Sequence, residues 1–284
     1  MKRFLVSCSL VIMAAVCGVA YSFNPVTANA VGSQNDRYVA IGDSVAAGAG
    51  LPINGNTPED QACARSGQAY AYQVGAAEGM NTELIACSGA KVDEGLYGSQ
   101  TVGDTKLTPQ IKRAFALGTP DLMTVTIGAN DARWSEFVAK CYQWSCGTKT
   151  DSRMVGMLLA DLRLEMHIAL AKIKYESHKN GDRAPKVIFT GYFKPFNPEA
   201  VSCDATRNFT QDEMTWMNTQ VNRLNRAIRN TTAWYGFAEY VPVDFTGHEI
   251  CSADPWIQSV QDPAPMHPNA QGQQAMARAI VGAN

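Results

Sequence analysis

Five apolar runs rich in β-branched residues recur along this chain, separated by stretches with helical character. The runs lie near residues 37–41, 83–86, 122–127, 186–190 and 238–243. Among the intervening stretches, 69–78 is Ala-rich and 109–117 is short and amphipathic. Residues 154–175 place Met154, Leu158, Leu162, Met166, Leu170 and Ile173 at three- and four-residue spacing. That spacing gathers apolar side chains on one helical face, and Asp151-Ser152 reads as its cap. Residues 212–234 form another long helical stretch, and 268–280 begins with Pro268 at a first-turn position. Strand and helix in alternation predict an α/β fold with a parallel sheet covered by helices on both faces. In such a sheet, active residues collect in the loops at the carboxyl ends of the strands.

The first thirty residues stand apart from this pattern. Lys2 and Arg3 precede an apolar stretch from Phe4 to Ala20, followed by small and polar residues ending in Ala28-Asn29-Ala30. Charge, apolar centre and Ala-x-Ala in that order predict a secretory signal peptide over 1–30, cleaved after Ala30. The competing reading, an uncleaved membrane anchor, fits less well, because the stretch is short and interrupted by Ser7, Ser9 and Gly18. Residues 31–284 then form one domain, with no internal repeat or linker to divide them. Losing Lys2 and Arg3 takes the net charge from −2 to −4. No basic run survives, which argues against nucleic acid as a partner; the domain is expected to be a secreted monomer without a stable membrane anchor.

Six of the eight cysteines lie beyond residue 30: Cys63, Cys87, Cys141, Cys146, Cys203 and Cys251. An even count in an exported chain reads as three disulfides. Sequence leaves fifteen pairings open, of which neighbour pairing is the simplest: Cys63–Cys87, Cys141–Cys146 and Cys203–Cys251. No Cys-x-x-Cys or His-x-x-x-His pair appears, so no metal is expected.

Four loops concentrate chemistry where the sheet rule puts it. Gly42-Asp43-Ser44 follows the first run, Cys87-Ser88-Gly89-Ala90 the second and Gly128-Ala129-Asn130-Asp131 the third. The fourth, Asp262-Pro263-Ala264-Pro265-Met266-His267-Pro268, precedes the last helix. A serine at a strand-to-helix turn sits over free helical N–H groups, the setting a nucleophilic hydroxyl needs; alternatively Asp43 or Ser44 is simply an N-cap. His267, presented between prolines, is the candidate general base. His167 and His178 fall on or just past a helical stretch and read as surface or packing residues, and His248 has no assigned role. Gly89 can turn its N–H towards a developing oxyanion, and the Asn130 amide can do the same; each could equally be a turn-maker. Asp131 reads as a brace for its loop.

These four ordered blocks resemble those of the SGNH hydrolases, also called GDSL esterases and lipases. The cysteine layout further resembles that of secreted, three-disulfide esterases and lipases of actinobacteria. The resemblance implies a flavodoxin-like three-layer α/β/α sandwich around a central five-stranded parallel sheet. It also implies a cofactor-free serine carboxyl-ester hydrolase that forms an acyl-enzyme on a small-molecule or lipid ester. By the same resemblance Ser44 is the nucleophile, His267 the base, and the Ser44 N–H, Gly89 N–H and Asn130 amide the oxyanion hole. A carbohydrate O-acetyl esterase with the same residues, and a binding module with a dead site, are the competing readings.

Two positions depart from the family pattern. Val45 stands where leucine is usual, a conservative change. The aspartate usually found three residues before the histidine is replaced by Ala264, and the nearest acid, Asp262, lies five before. The Ala264 backbone carbonyl is therefore the favoured partner of His267, with Asp262 the alternative. Residues 134–148 are read as a tight loop pinned by Cys141 and Cys146; its Trp134, Phe137, Tyr142 and Trp144 either rim the cleft or cover the core. Asn208-Phe209-Thr210 and Asn230-Thr231-Thr232 are glycosylation sequons if the host glycosylates.

Overall fold

The computed structural model describes residues 36–284 apart from 56, 201 and 202. The expected signal peptide lies outside the described residues. Five strands, β1 (Arg37–Gly42), β2 (Asn81–Leu84), β5 (Leu122–Thr126), β6 (Lys186–Thr190) and β7 (Ala238–Val241), form one parallel sheet in the order β2-β1-β5-β6-β7. Counting only these strands, the order is 2-1-3-4-5, the flavodoxin-like arrangement. The order reverses between β1 and β5, which places the topological switch point, and the crevice beyond it, between the loops carrying Ser44 and Asn130. β5 is buried along its whole length and β1 nearly so, which is why both read as unbroken apolar runs rather than as alternating strands.

Helices α3 (Tyr70–Glu78) and α8 (Ala270–Val281) pack together over one face of the sheet. On the other face, α4 (Gln110–Ala114) and α7 (Gln211–Thr232) pack against the long α6 (Lys149–Lys179). Both long helices start at capping boxes: Thr148 with Asp151, and Thr210 with Glu213. The two side chains of each box satisfy each other's otherwise free backbone donors.

Several elements begin or end away from the positions their sequence patterns predict. Thr148, not Asp151-Ser152, caps α6, which begins several residues earlier than its apolar stripe. Asn269 caps α8, so Pro268 stands just outside the helix. β2 lies at 81–84 rather than 83–86; the apolar residues that follow continue hydrogen bonding to β1 as Ile85 N–H to Ala40 O (2.8 Å) and Cys87 N–H to Gly42 O (3.0 Å), beyond the strand. Residues 134–148 are not a loop throughout: α5 (Trp134–Gln143) occupies most of them. The short helices α1 (Ser44–Ala47) and α2 (Pro58–Cys63) complete the helical set among the described residues, and β3 (Gln100–Val102) pairs with β4 (Thr105–Leu107) in a hairpin outside the five apolar runs.

Among the described residues three disulfides form, Cys63–Cys87, Cys141–Cys146 and Cys203–Cys251, the neighbour pairing. No helix among the described residues is long and apolar enough to cross a membrane.

Candidate active site

Ser44 owes its place to a glycine that no other residue could replace. Gly42 ends β1 at φ +137°, and a Cβ there would stand 2.1 Å from the Thr126 carbonyl oxygen. The chain can therefore turn tightly against β5, and Asp43 N–H donates to that same carbonyl at 2.9 Å. Gln110 holds the turn from the other side, accepting from Gly42 N–H (2.7 Å) and donating to Gly42 O (2.9 Å). Asp43 caps α1, its carboxylate accepting from Val45 N–H at 2.9 Å. Ser44 follows as the first helical residue, where the backbone N–H has no partner within the helix.

His267 arrives from the far end of the chain. Its Nε2 lies 2.7 Å from Ser44 Oγ, across a sequence separation of 223 residues. Its Nδ1 lies 2.9 Å from the Pro265 carbonyl oxygen. A carbonyl can only accept, so Nδ1 carries the proton and Nε2 is left to accept from the serine hydroxyl. The orienting carbonyl is thus that of Pro265, not of Ala264. Met266, at φ +64°, turns the chain so that the carbonyl two residues back meets the ring. The Ala264 carbonyl instead accepts the His267 backbone N–H at 3.2 Å. Asp262 is also ruled out: its carboxylate accepts from Ser259 N–H at 2.6 Å and closes its own turn. Burial holds the His267 imidazole below its ordinary pKa, while the Pro265 and Ala264 carbonyls pull the other way.

Asn130 shares the cleft with Ser44 and His267. Its amide donates one hydrogen bond to Ala90 O at 2.9 Å, which fixes the side chain and leaves a second N–H. Asp131 braces the loop by accepting from Val92 N–H at 3.0 Å, and burial lifts its carboxyl to about 6. Gly89 stands on the neighbouring turn, exposed, at φ +79°. A Cβ there would meet only Gln100 Nε2 at 3.6 Å, so backbone conformation rather than crowding calls for glycine. The turn hangs from Cys63, whose carbonyl accepts from Ser88 N–H (3.1 Å) and Ser88 Oγ (3.0 Å).

With this geometry, the family model for the GDSL-like lipase/acylhydrolase family matches residues 40–275. The chain belongs to that family. Lipase 1 of Streptomyces coelicolor is 28% identical over 280 residues, covering 96% of each chain. The lipase of Streptomyces rimosus is 28% identical over 244 residues, covering 84% of this chain and 83% of its own. The crystal structure of an extracellular lipase from Streptomyces rimosus superposes with a TM-score of 0.62 at 25% identity, covering 88% of this chain and all of that one. As a GDSL-type chain, the protein is a carboxylic ester hydrolase.

The cleft of this GDSL hydrolase is walled mainly by apolar groups: Val45, Ala129, Trp134, Phe193, Val221, Leu224 and Met266. The aromatics of 134–148 divide their roles. Trp134 lines the cleft, Phe137 packs on Trp216 and Tyr142 on Phe209, and Trp144 is exposed. His167 contacts Tyr235 Oη at 2.9 Å through Nδ1, and His248 stacks on Trp256. One residue that sequence reasoning missed connects the site's two halves. Tyr192, at the carboxyl end of β6, donates its hydroxyl to the Asp43 carboxylate and accepts from Ala129 N–H at 3.2 Å. Asp43 is fully buried, and burial lifts its carboxyl to about 7 against the hydrogen bonds from Tyr192 and Val45. The Ser44 turn and the Asn130 loop are thereby tied through one phenol. The signal available for Tyr192 was its place just past the fourth apolar run; nothing in its local sequence marks its partner. Among the described residues no group of three His, Cys, Asp or Glu could hold a metal ion.

Proposed function

We propose that this GDSL hydrolase is a secreted serine esterase or lipase working through an acyl-enzyme on Ser44. His267 Nε2 takes the Ser44 proton as Oγ bonds to the ester carbonyl carbon. The carbonyl oxygen gains the negative charge, and the Ser44 N–H, the Gly89 N–H and the free Asn130 amide N–H are its donors. Collapse breaks the ester C–O bond, and the alcohol leaves with the proton from His267. Water, deprotonated by the same imidazole, then releases the acid. The single observation supporting this reading most is the 2.7 Å contact between His267 Nε2 and Ser44 Oγ. The alternative of a binding module with a dead site makes the opposite prediction about the serine. Wild-type protein is expected to be labelled at Ser44 by a serine-directed phosphonate. Ser44→Ala should stay folded and lose turnover of a short-chain nitrophenyl ester by at least about 10⁴-fold. Wild-type turnover in that variant, or labelling elsewhere, would refute the assignment.

Export is part of the proposal. The N-terminal order of charge, apolar stretch and Ala28-Asn29-Ala30, together with three disulfides, supports it. Sequencing the protein from culture medium should give Val31 as its first residue; an intact N-terminus retained with the cells would refute export.

A further inference from the structure

The imidazole of His267 depends on its backbone twice over. The chain carries the ring, and a backbone carbonyl, that of Pro265, fixes its Nδ1 proton at 2.9 Å. Whatever holds the segment 264–268 therefore sets the base. That segment has no helix or strand of its own before α8, and Met266 sits at φ +64°, a conformation that disfavours a side chain.

Gln258 grips the segment along its whole length. Its backbone N–H donates to His267 O (2.7 Å), and its carbonyl accepts from Met266 N–H (3.1 Å). Its side-chain oxygen accepts from Ala264 N–H (3.3 Å), and its Nε2 donates to Pro268 O (3.1 Å). The same Nε2 donates its second hydrogen to Ala49 O (2.9 Å). Ala49 N–H in turn donates to Ser44 O at 3.0 Å. One amide thus spans from the loop of the base to the turn that closes the helix of the serine. The amide is buried, 5% exposed, with its oxygen and both of its N–H groups engaged. Room for it is built in: a Cβ on Gly50 would lie 2.1 Å from Gln258 Oε1.

We propose that Gln258 is a positioning residue for the hydrolysis: its side-chain amide sets the distance between His267 and Ser44 by tying the 264–268 segment to Ala49. This rests on the serine–histidine reading above. An aliphatic side chain of the same shape would leave the Ala49 and Pro268 carbonyls without donors, and glutamate would face both with an acceptor.

The test compares Gln258→Ala and Gln258→Glu with Ser44→Ala and with Gln271→Ala, a nearby exposed change that removes only a contact to Asp254. Near-UV circular dichroism and melting temperature report folding; kcat, KM and pH profiles on a short-chain nitrophenyl ester report the site. Folded Gln258→Ala should lose kcat by about 10- to 100-fold, the scale of an ångström misplacement, with KM little changed. The acid limb of its kcat/KM should move up as the loosened imidazole becomes hydrated. Gln271→Ala should behave as wild type. Wild-type kcat in a folded Gln258 variant, while Ser44→Ala is dead, overturns the positioning role alone. Activity retained by Ser44→Ala overturns the reading beneath it. If neither Gln258 variant folds, the residue is a scaffold element and the proposal also fails.

Discussion

Behind the imidazole of His267 stands a carbonyl, not a carboxylate, and this decides how the base should titrate. A carboxylate would stabilise the imidazolium and lift the pKa; the Pro265 carbonyl does so only weakly, and burial outweighs it. The neutral ring is the form that can accept a proton. Activity should therefore be complete above the His267 pKa and fall as pH drops through it. Because that pKa is held below the ordinary 6.5, the acid limb of kcat/KM on a nitrophenyl ester should lie below 6.5, and a limb above 6.5 would contradict the environment described. This partner was misassigned by one residue from the sequence. Spacing can place a carbonyl near a histidine, but the left-handed turn at Met266 chooses which carbonyl faces the ring. Ser44, Asn130 and His267 were legible because each lies in a short contiguous block after a strand or before a helix. Tyr192, Gln110 and Gln258 were not, because each reaches the Ser44 turn through a contact distant in sequence: Tyr192 to Asp43 across 149 residues, Gln110 to Gly42 across 68 and Gln258 to Ala49 across 209.

The same divide between local and distant signals runs through the elements. The three central strands β1, β5 and β6 announce themselves because buried parallel strands are apolar runs, whereas the edge strands β2 and β7 are only partly buried and β2 begins two residues before its apolar run. The β3–β4 hairpin does not announce itself, since three-residue strands such as Gln100–Val102 carry no apolar alternation long enough to count. In α5 the close pair Cys141 and Cys146 suggested a tight loop, yet the disulfide bridges the last turn of a helix to the chain just beyond it. The disulfides consequently differ in what they hold. Cys63–Cys87 closes 24 residues and anchors the turn bearing Gly89, two residues on. Cys141–Cys146 closes only 5. Chain entropy gives the first about 3 kcal/mol and the second about 2 kcal/mol. Replacing Cys63 and Cys87 together by serine should cost about 3 kcal/mol in urea unfolding and also lower kcat, through the loosened Gly89 turn. Replacing Cys141 and Cys146 together should lower stability less and leave kcat near wild type. Equal effects on kcat would show that the Gly89 turn is held by something other than the Cys63 bridge.

At the scale of the whole molecule, the sheet order brings the Ser44 and Asn130 loops to either side of the switch point, and α5 and α7 raise walls beyond them. Trp134 comes from α5, and Val221 and Leu224 from α7, so the apolar lining is assembled from elements distant in sequence. From the chain alone Trp134 could be read as a rim candidate, but not the residues of α7 that complete the wall. Its chemistry nonetheless makes a graded claim about substrate. Each methylene that an acyl chain buries against such a wall is worth about 0.8 kcal/mol, so log kcat/KM should rise with acyl length until the cleft is filled. Trp134 is the largest side chain in that lining and is only partly buried. Trp134→Ala should therefore flatten the rise, lowering kcat/KM for medium-chain esters by about tenfold while leaving an acetyl ester nearly unchanged. A nitrophenyl ester series run beside acetylated sugars measures this slope. If acetylated sugars outrun every medium-chain ester and Trp134→Ala leaves the series unchanged, the apolar wall does not select the acyl group and the carbohydrate O-acetyl esterase reading takes its place.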